Sequence, residues 1–352
     1  MKSKKLILIR NLCILVVSLL LVVAGVGCIY ADRLFGKINY VGDGESEAPA
    51  VPLFPQGNES APASGEPGLV GGLYHDEAVT NILLLGSDDY QKNDSGRSDS
   101  MMLVSVDTRH KKLKVTSFMR DLYVAIPGIG SNRLNAAYSL AGSGADGAKK
   151  VVSTIEANFG VDLDRFVIIN YKAFPQIIDR VGGVTITLTD RKDKYGRTEA
   201  DLINRYSGDK KRVRPGENVL SGKQALYYAR IRDIGDDQER TLRQRKVFQS
   251  LVEKMKKSNL PEIYSVLSDT LNLVTTNMTK NEVLSMAANS LTYLNYPVSS
   301  YRVPADGEYQ PEEIILGHDT KPSSVLVPDL DLSRKSLIGF IYENGLTSGA
   351  SE

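Results

Sequence analysis

The chain has 352 residues, 42% hydrophobic and 24% charged, which is enough apolar material for a sizeable core and about two domains by length. Its 43 Lys and Arg nearly balance 42 Asp and Glu, so net charge argues against nucleic acid or a polybasic membrane-surface role, and any charge-driven function is local. Cys13 and Cys28 both lie in the N-terminal apolar stretch, and His75, His110 and His318 are dispersed. A thiolate metal site, a zinc hydrolase and a His-based triad are therefore poor fits, and carboxylates are left to hold any metal.

Residues 1–10 carry Lys2, Lys4, Lys5 and Arg10. Asn11 to Tyr30 follows without a charge, and at about 1.5 Å per residue it is long enough to cross the roughly 30 Å hydrocarbon layer. The basic flank predicts a single-pass membrane protein with a cytoplasmic N-terminus and an extracellular body. A cleaved signal peptide is the rival reading, but its apolar core is usually only about 7–15 residues. Residues 31–78 are rich in Pro, Gly, Ser and Glu and read as a flexible extracellular tether. The body is expected to start at Val79, with residues 79–257 as its catalytic domain, 258–345 as a C-terminal part of the same body and 346–352 as a disordered tail.

Asn81 to Gly86 is a short unbroken apolar run, as in a strand buried on both faces. Ser100 to Asp107 and Leu113 to Phe118 read as two paired strands, and Val167 to Asn170 and Val184 to Leu188 as two more. Helical spacing is expected over Ala145 to Phe159, Tyr171 to Val181, Ser221 to Arg230, Thr241 to Lys257 and Thr279 to Leu294. A strand at Ser299 to Val303 and a helix at Leu332 to Glu343 close the chain. This mixture predicts a three-layer α/β/α sandwich on a mixed central sheet, preceded by one N-terminal transmembrane helix.

Charges interrupt the pattern at four places. Asp88 stands just beyond the first strand and Asp99 just before the next, so both can meet at one sheet edge. Two carboxylates so placed suit Mg²⁺, with Mn²⁺ as an alternative, although capping turns is the competing role. Arg120 and Asp121 follow an apolar strand, where an exposed ion pair is the bland reading. The segment from Tyr228 to Arg245 is the densest, and arginine forks suit bidentate binding of a pyrophosphate. A solvated helix face would also account for Arg240, Arg243 and Arg245.

NILLLGSDD, GRSDSMMLVSVD, TSFMRDLYVAIPG, RLNAAY, GGV and YYARIRDIGDDQERTLRQRKVF occur in this order. Together they resemble the LytR-CpsA-Psr family of wall-polymer ligases, over roughly Val79 to Lys257 with a family-like tail. The resemblance implies metal binding by Asp88 and Asp99, and pyrophosphate binding by Arg97, Arg120, Arg133, Arg230, Arg232, Arg240 and Gln244. It also implies a tunnel for a polyprenyl chain, with Val152, Ile155, Phe159, Phe166, Phe174 and Ile178 as candidate lining, ordinary core packing being the competing role. The implied reaction moves a glycopolymer (teichoic acid, capsular or other wall polysaccharide) from a polyprenyl pyrophosphate carrier onto peptidoglycan, at the C6 hydroxyl of N-acetylmuramic acid. Arg120, Asp99 and Asp121 are the catalytic candidates, with one of the two carboxylates accepting the proton. A polyprenyl pyrophosphate hydrolase and a membrane-bound regulatory protein are the alternatives. No nucleic-acid partner is expected.

Overall fold

The computed structural model describes residues 39–40, 68–70, 72–88, 96–163, 165–317 and 319–343. Seven strands form a mixed central sheet: β1 (Asn39–Tyr40), β2 (Val79–Ser87), β3 (Ser98–Asp107), β4 (Lys112–Phe118), β5 (Arg165–Asn170), β6 (Val274–Thr276) and β7 (Val298–Val303). Their spatial order is β1-β6-β5-β2-β3-β4-β7. β2, β3 and β4 are an antiparallel meander, to which β5 adds in parallel at β2 and β7 in parallel at β4. The helices used below are α1 (Gly144–Phe159), α2 (Ala173–Arg180), α3 (Gly222–Tyr228), α4 (Asp237–Lys256), α5 (Lys280–Leu294) and α6 (Leu330–Tyr342).

Because side chains alternate along a strand, the sheet has two different faces. Leu83, Leu85, Met101, Leu103, Phe166 and Ile168 pack against Val151, Ile155 and Phe159 of α1 and Leu337 and Ile341 of α6 in one closed core. Leu84, Ser100, Met102 and Ile169 turn the other way, beneath α2, α3 and α4. Helices thus cover both faces of a mixed sheet.

Val184–Leu188, read from its β-branched alternation, does not enter the central sheet. It pairs instead with Gly216–Leu220 in a separate hairpin. That hairpin and the helix Glu199–Tyr206 make a second core with Ile178, Tyr228, Ile231 and Val247. Arg243 is buried beside this core: its Nε donates to Glu199 Oε1 at 2.8 Å and its two terminal nitrogens donate to the carbonyls of Ile231 and Ile234. A removed partner would leave a buried charge uncompensated, so Arg243 is structural rather than a solvated helix charge.

Helix α4 begins at Asp237, one turn before the expected Thr241. Asp236 caps it by accepting the Glu239 N–H at 3.0 Å, and Asp237 and Glu239 complement the positive end of the helix.

The span expected to be a tether is in part structured. Gly68–Val70 and Leu73–His75 form a hairpin. Its Tyr74 N–H donates to the Gly160 carbonyl at 2.7 Å, while its own carbonyl accepts from the Tyr342 hydroxyl at 2.9 Å. The sheet likewise takes in Asn39–Tyr40 through β6. Residues 31–38, 41–67 and 71 of the tether, residues 1–10, the apolar stretch Asn11 to Tyr30 and the tail 346–352 lie outside the described residues. Among the described residues no helix is long and apolar enough to cross a membrane.

Candidate active site

The face of the sheet opposite the α1 core is hollow. A cavity of about 470 Å³ runs between the sheet and the helices, walled by Leu84, Met102, Ile169, Phe174, Ile177, Leu226, Val247, Phe248 and Leu251. Gly86 belongs to this wall: a Cβ on it would come within 3.1 Å of the Ser100 Cβ, so glycine keeps the two strands close where the register shifts between Gly86 and Ser87.

One end of the cavity is polar, lined by Asp99, Tyr171, Arg230, Arg232, Arg240 and Gln244. Each comes from the end of an element: Asp99 from the start of β3, Tyr171 just after β5, Arg230 and Arg232 from the loop between α3 and α4, and Arg240 and Gln244 from α4. Arg120, just after β4, is the hub. Its guanidinium lies 3.6 Å from Asp99, 3.2 Å from Asp121 and 3.3 Å from Asp237. Its side chain is only 20% exposed, which rules out a solvated surface pair. Arg232 adds a 3.8 Å approach to Asp99, and Arg240, 4% exposed, meets Asp237 at 3.0 Å. Arg133, on the hairpin strand Gly130–Arg133, extends the network with Nε 3.4 Å from Asp121 and donates to the Ser324 carbonyl.

The acids differ in electrostatic setting. Burial pushes the Asp99 carboxyl up, but the Tyr171 hydroxyl, donating at 2.7 Å, and the charges of Arg240, Arg120 and Arg232 outweigh it and hold Asp99 below the usual carboxylate range. Burial dominates at Asp237, whose carboxyl stays above that range despite Arg240 and Arg120. Tyr171 is held well above the usual phenol range, by burial and by Asp99, so it remains a donor. Arg230 lies over the Tyr171 ring, 4.3 Å from its centroid, which leaves a guanidinium on the exposed side. Among the described residues the buried Arg240 Nε has no hydrogen-bond partner. A buried donor of this kind is costly unless something supplies an acceptor.

Similarity to known proteins bears on this arrangement. The LytR_cpsA_psr family profile matches residues 57–325. The chain belongs to the LytR_cpsA_psr family. A polyisoprenyl-teichoic acid–peptidoglycan teichoic acid transferase, TagU of Oceanobacillus iheyensis, is 33% identical over 221 residues, 62% of this chain and 64% of that protein. The chain therefore spans somewhat less than two thirds of that relative's length. The regulatory protein MsrR of Staphylococcus aureus is 29% identical over 244 residues, 68% of each chain. The structure of YwtF (TagT), a LytR-CPS2A-psr family protein with bound octaprenyl pyrophosphate lipid, shares the fold at a TM-score of 0.54 and 21% identity, covering 75% of this chain and 90% of that one.

Within this family fold, the structure gathers Asp99, Arg120, Asp121, Arg133, Arg232 and Arg240 into one network, and sets Arg230 and Gln244 on the cavity wall beside it. Gln244 Nε2 reaches the Ala229 carbonyl at 3.5 Å. Asp88 accepts the Arg97 backbone N–H and donates its own N–H to the Arg97 carbonyl at 3.2 Å. Its charge acts on Tyr171, which places it near the polar end. Arg97 is exposed, and its described contacts to Asp88 are through its backbone.

Four of the six expected tunnel residues are elsewhere. Val152, Ile155, Phe159 and Phe166 pack in the closed core with α1, because their strand and helix faces point to the opposite side of the sheet. Phe174 and Ile178 do line the cavity. Sequence reasoning missed Tyr171 and Asp237. Tyr171 followed an apolar strand as the other site residues do, and Asp237 sits three residues before Arg240, one helical turn away. A separate trio, Asp107, His110 and Glu343, groups metal-type ligands. The buried Lys114 ammonium fills it, 2.6 Å from Asp107 and 3.0 Å from Glu343.

Proposed function

We propose that this chain is a membrane-anchored transferase, its body outside the cell, that moves a glycopolymer from a polyprenyl pyrophosphate carrier onto peptidoglycan. One observation carries the reading: an apolar cavity leads to a cluster of arginines. A polyprenyl chain suits the apolar part and a pyrophosphate the cationic end. The names of TagU and of the lipid-bound YwtF structure support the same chemistry.

In this reaction a wall-sugar hydroxyl, the C6 hydroxyl of N-acetylmuramic acid, attacks the phosphorus nearer the glycan. A new O–P bond forms, the bond to the bridging oxygen breaks, and polyprenyl monophosphate leaves with that oxygen. Such transfers need positioning and charge stabilisation more than covalent chemistry from the protein. Arg120, Arg232 and Arg240 would hold the phosphoryl oxygens, with Arg230 at the open rim. Asp237, above the usual carboxylate range, is a better acceptor for the hydroxyl proton than Asp99, which stays ionised.

Asp88 and Asp99 offer hard oxygen donors beside Tyr171, and the lowered Asp99 suits a cation ligand, so the residues fit Mg²⁺. When bound, the ion supplies Lewis-acid stabilisation of phosphoryl charge.

The test is to incubate the full chain with a polyprenyl-pyrophosphate-linked glycan and peptidoglycan, and to analyse wall fragments by mass spectrometry. A sugar phosphodiester with released polyprenyl monophosphate is expected. A free glycan phosphomonoester alone would make the chain a hydrolase, and turnover of neither kind would leave a binding or regulatory role.

A further inference from the structure

A second, more open pocket of about 370 Å³ lies on another face of α4, where Gln238, Leu242 and Arg245 meet Tyr301 and Arg302 of β7. Gln238, Leu242 and Arg245 follow helical spacing, offset from the positions 240, 244 and 247 that wall the apolar cavity. The pocket adjoins the phosphoryl cluster. Gln238 follows Asp237, and the Val303 carbonyl, next to Arg302, accepts the N–H of Met119, the residue before Arg120.

Two guanidiniums meet here, and among the described residues only Arg302 has an ion-pair partner. Arg245 donates from Nη1 to the Tyr301 carbonyl at 2.9 Å, its Nε is buried without a partner, and among the described residues no carboxylate pairs with it. Arg302 has a side chain only 11% exposed, and its partner Asp306, 2.6 Å away and 85% exposed, lines the pocket with it. Glu239 also lines the pocket, but Arg191 and Arg243 engage its carboxylate. Burial first, and then the charge of Arg302, hold Arg245 below the usual arginine range. An oxyanion would relieve the repulsion.

In an in-line displacement the acceptor stands opposite the leaving group. With the lipid in the apolar cavity, the second pocket, which shares none of that cavity's lining residues, is left for another part of the substrates. We propose that Arg245 and Arg302 form an oxyanion subsite that receives either a peptide carboxylate of the wall acceptor or a backbone phosphate of the polymer. The identity of the oxyanion rests on the transferase reading, whereas the presence of the subsite does not.

The experiment therefore measures binding, not turnover. The full chain, Arg302→Gln, Arg302→Lys and the Arg245→Gln/Arg302→Gln pair are titrated with two probes, a muramyl pentapeptide with free carboxylates and a glycerol phosphate oligomer. The expected result is about a tenfold loss of affinity for at least one probe in Arg302→Gln, a larger loss in the pair, and partial retention in Arg302→Lys. The responding probe names the source. Unchanged affinity for both probes in a pair variant that melts like the parent overturns the subsite, as does failure of both probes to bind the parent chain at millimolar concentration. Should the pair melt early, Arg302→Glu decides, because that side chain's only described ion pair is with exposed Asp306: unchanged affinity overturns the proposal and a loss supports it. A chain that makes no phosphodiester yet shows the loss keeps the subsite and loses the transferase reading, and the converse result does the reverse.

Discussion

The two faces of the central sheet share the same strands and end in opposite states. On the α1 face, Leu83, Leu103 and Ile155 are fully buried in a continuous core. On the α4 face, Leu84, Met102 and Ile169 wall a cavity that leads to charge. The lesson is that strand alternation assigns each residue to a face, but only the helix laid over that face decides whether it becomes packing or binding surface. Ile155 and Phe159 on α1 fill their side. The helices opposite stand clear of theirs.

Truncation on the closed face should have the largest effect. Ile155→Ala is expected to cost about 2–5 kcal/mol of stability, read from denaturant unfolding, with lipid affinity per folded molecule unchanged. A cost well under 1 kcal/mol would mean that this face is not closed. Next comes the charged end of the open face. Arg120→Ala should lower transfer by on the order of 10²–10³ with little change in melting temperature, and lysine should recover only part of it. Near-normal transfer in the folded variant would reduce the Arg120 network to a structural one.

The apolar wall of the open face should respond in the opposite sense to the closed core. Met102→Ala is expected to cost about 1 kcal/mol or less of stability while weakening polyprenyl phosphate binding several-fold, since its side chain faces a space rather than packed neighbours. Equal destabilisation by Met102→Ala and Ile155→Ala would erase the distinction between the faces.

The smallest effect separates the two acids within the open face. Asp99, held below its ordinary value, contributes stability that is present above the unfolded carboxylate value and lost as pH falls through its folded one. Asp237, held above its ordinary value, works the other way: its ionised form is a burden near neutrality, and the burden lifts as pH falls. Asp237→Asn should therefore raise the melting temperature slightly at pH 7, lower the transfer rate and remove the acidic limb from the rate that remains, while Asp99→Asn lowers the melting temperature. Thermal melts and rate profiles between pH 4 and 8 check both signs, and an acidic limb that survives in Asp237→Asn would return the proton acceptor to Asp99 or Asp121.

Much of this molecule could be read along the chain. The apolar runs at Asn81 to Gly86 and Ser100 to Asp107 marked the strands, helical spacing marked α1, α5 and α6, and the arginines interrupting apolar pattern marked residues that line the polar end of the cavity, because local periodicity and local charge are properties of neighbouring residues. Tertiary structure decided the rest. Val184–Leu188 alternates as a sheet strand does, yet it pairs outside the central sheet, since a pattern of period two specifies a strand and not its partner. Val152 and Phe159 have the same apolar character as Phe174 and Ile178, and nothing in the sequence says which pair faces a filled space. Tyr171, Asp237 and the Arg245–Arg302 pair acquire their roles from residues far away in the chain, through distances and burial that arise only once the sheet and α4 are brought together.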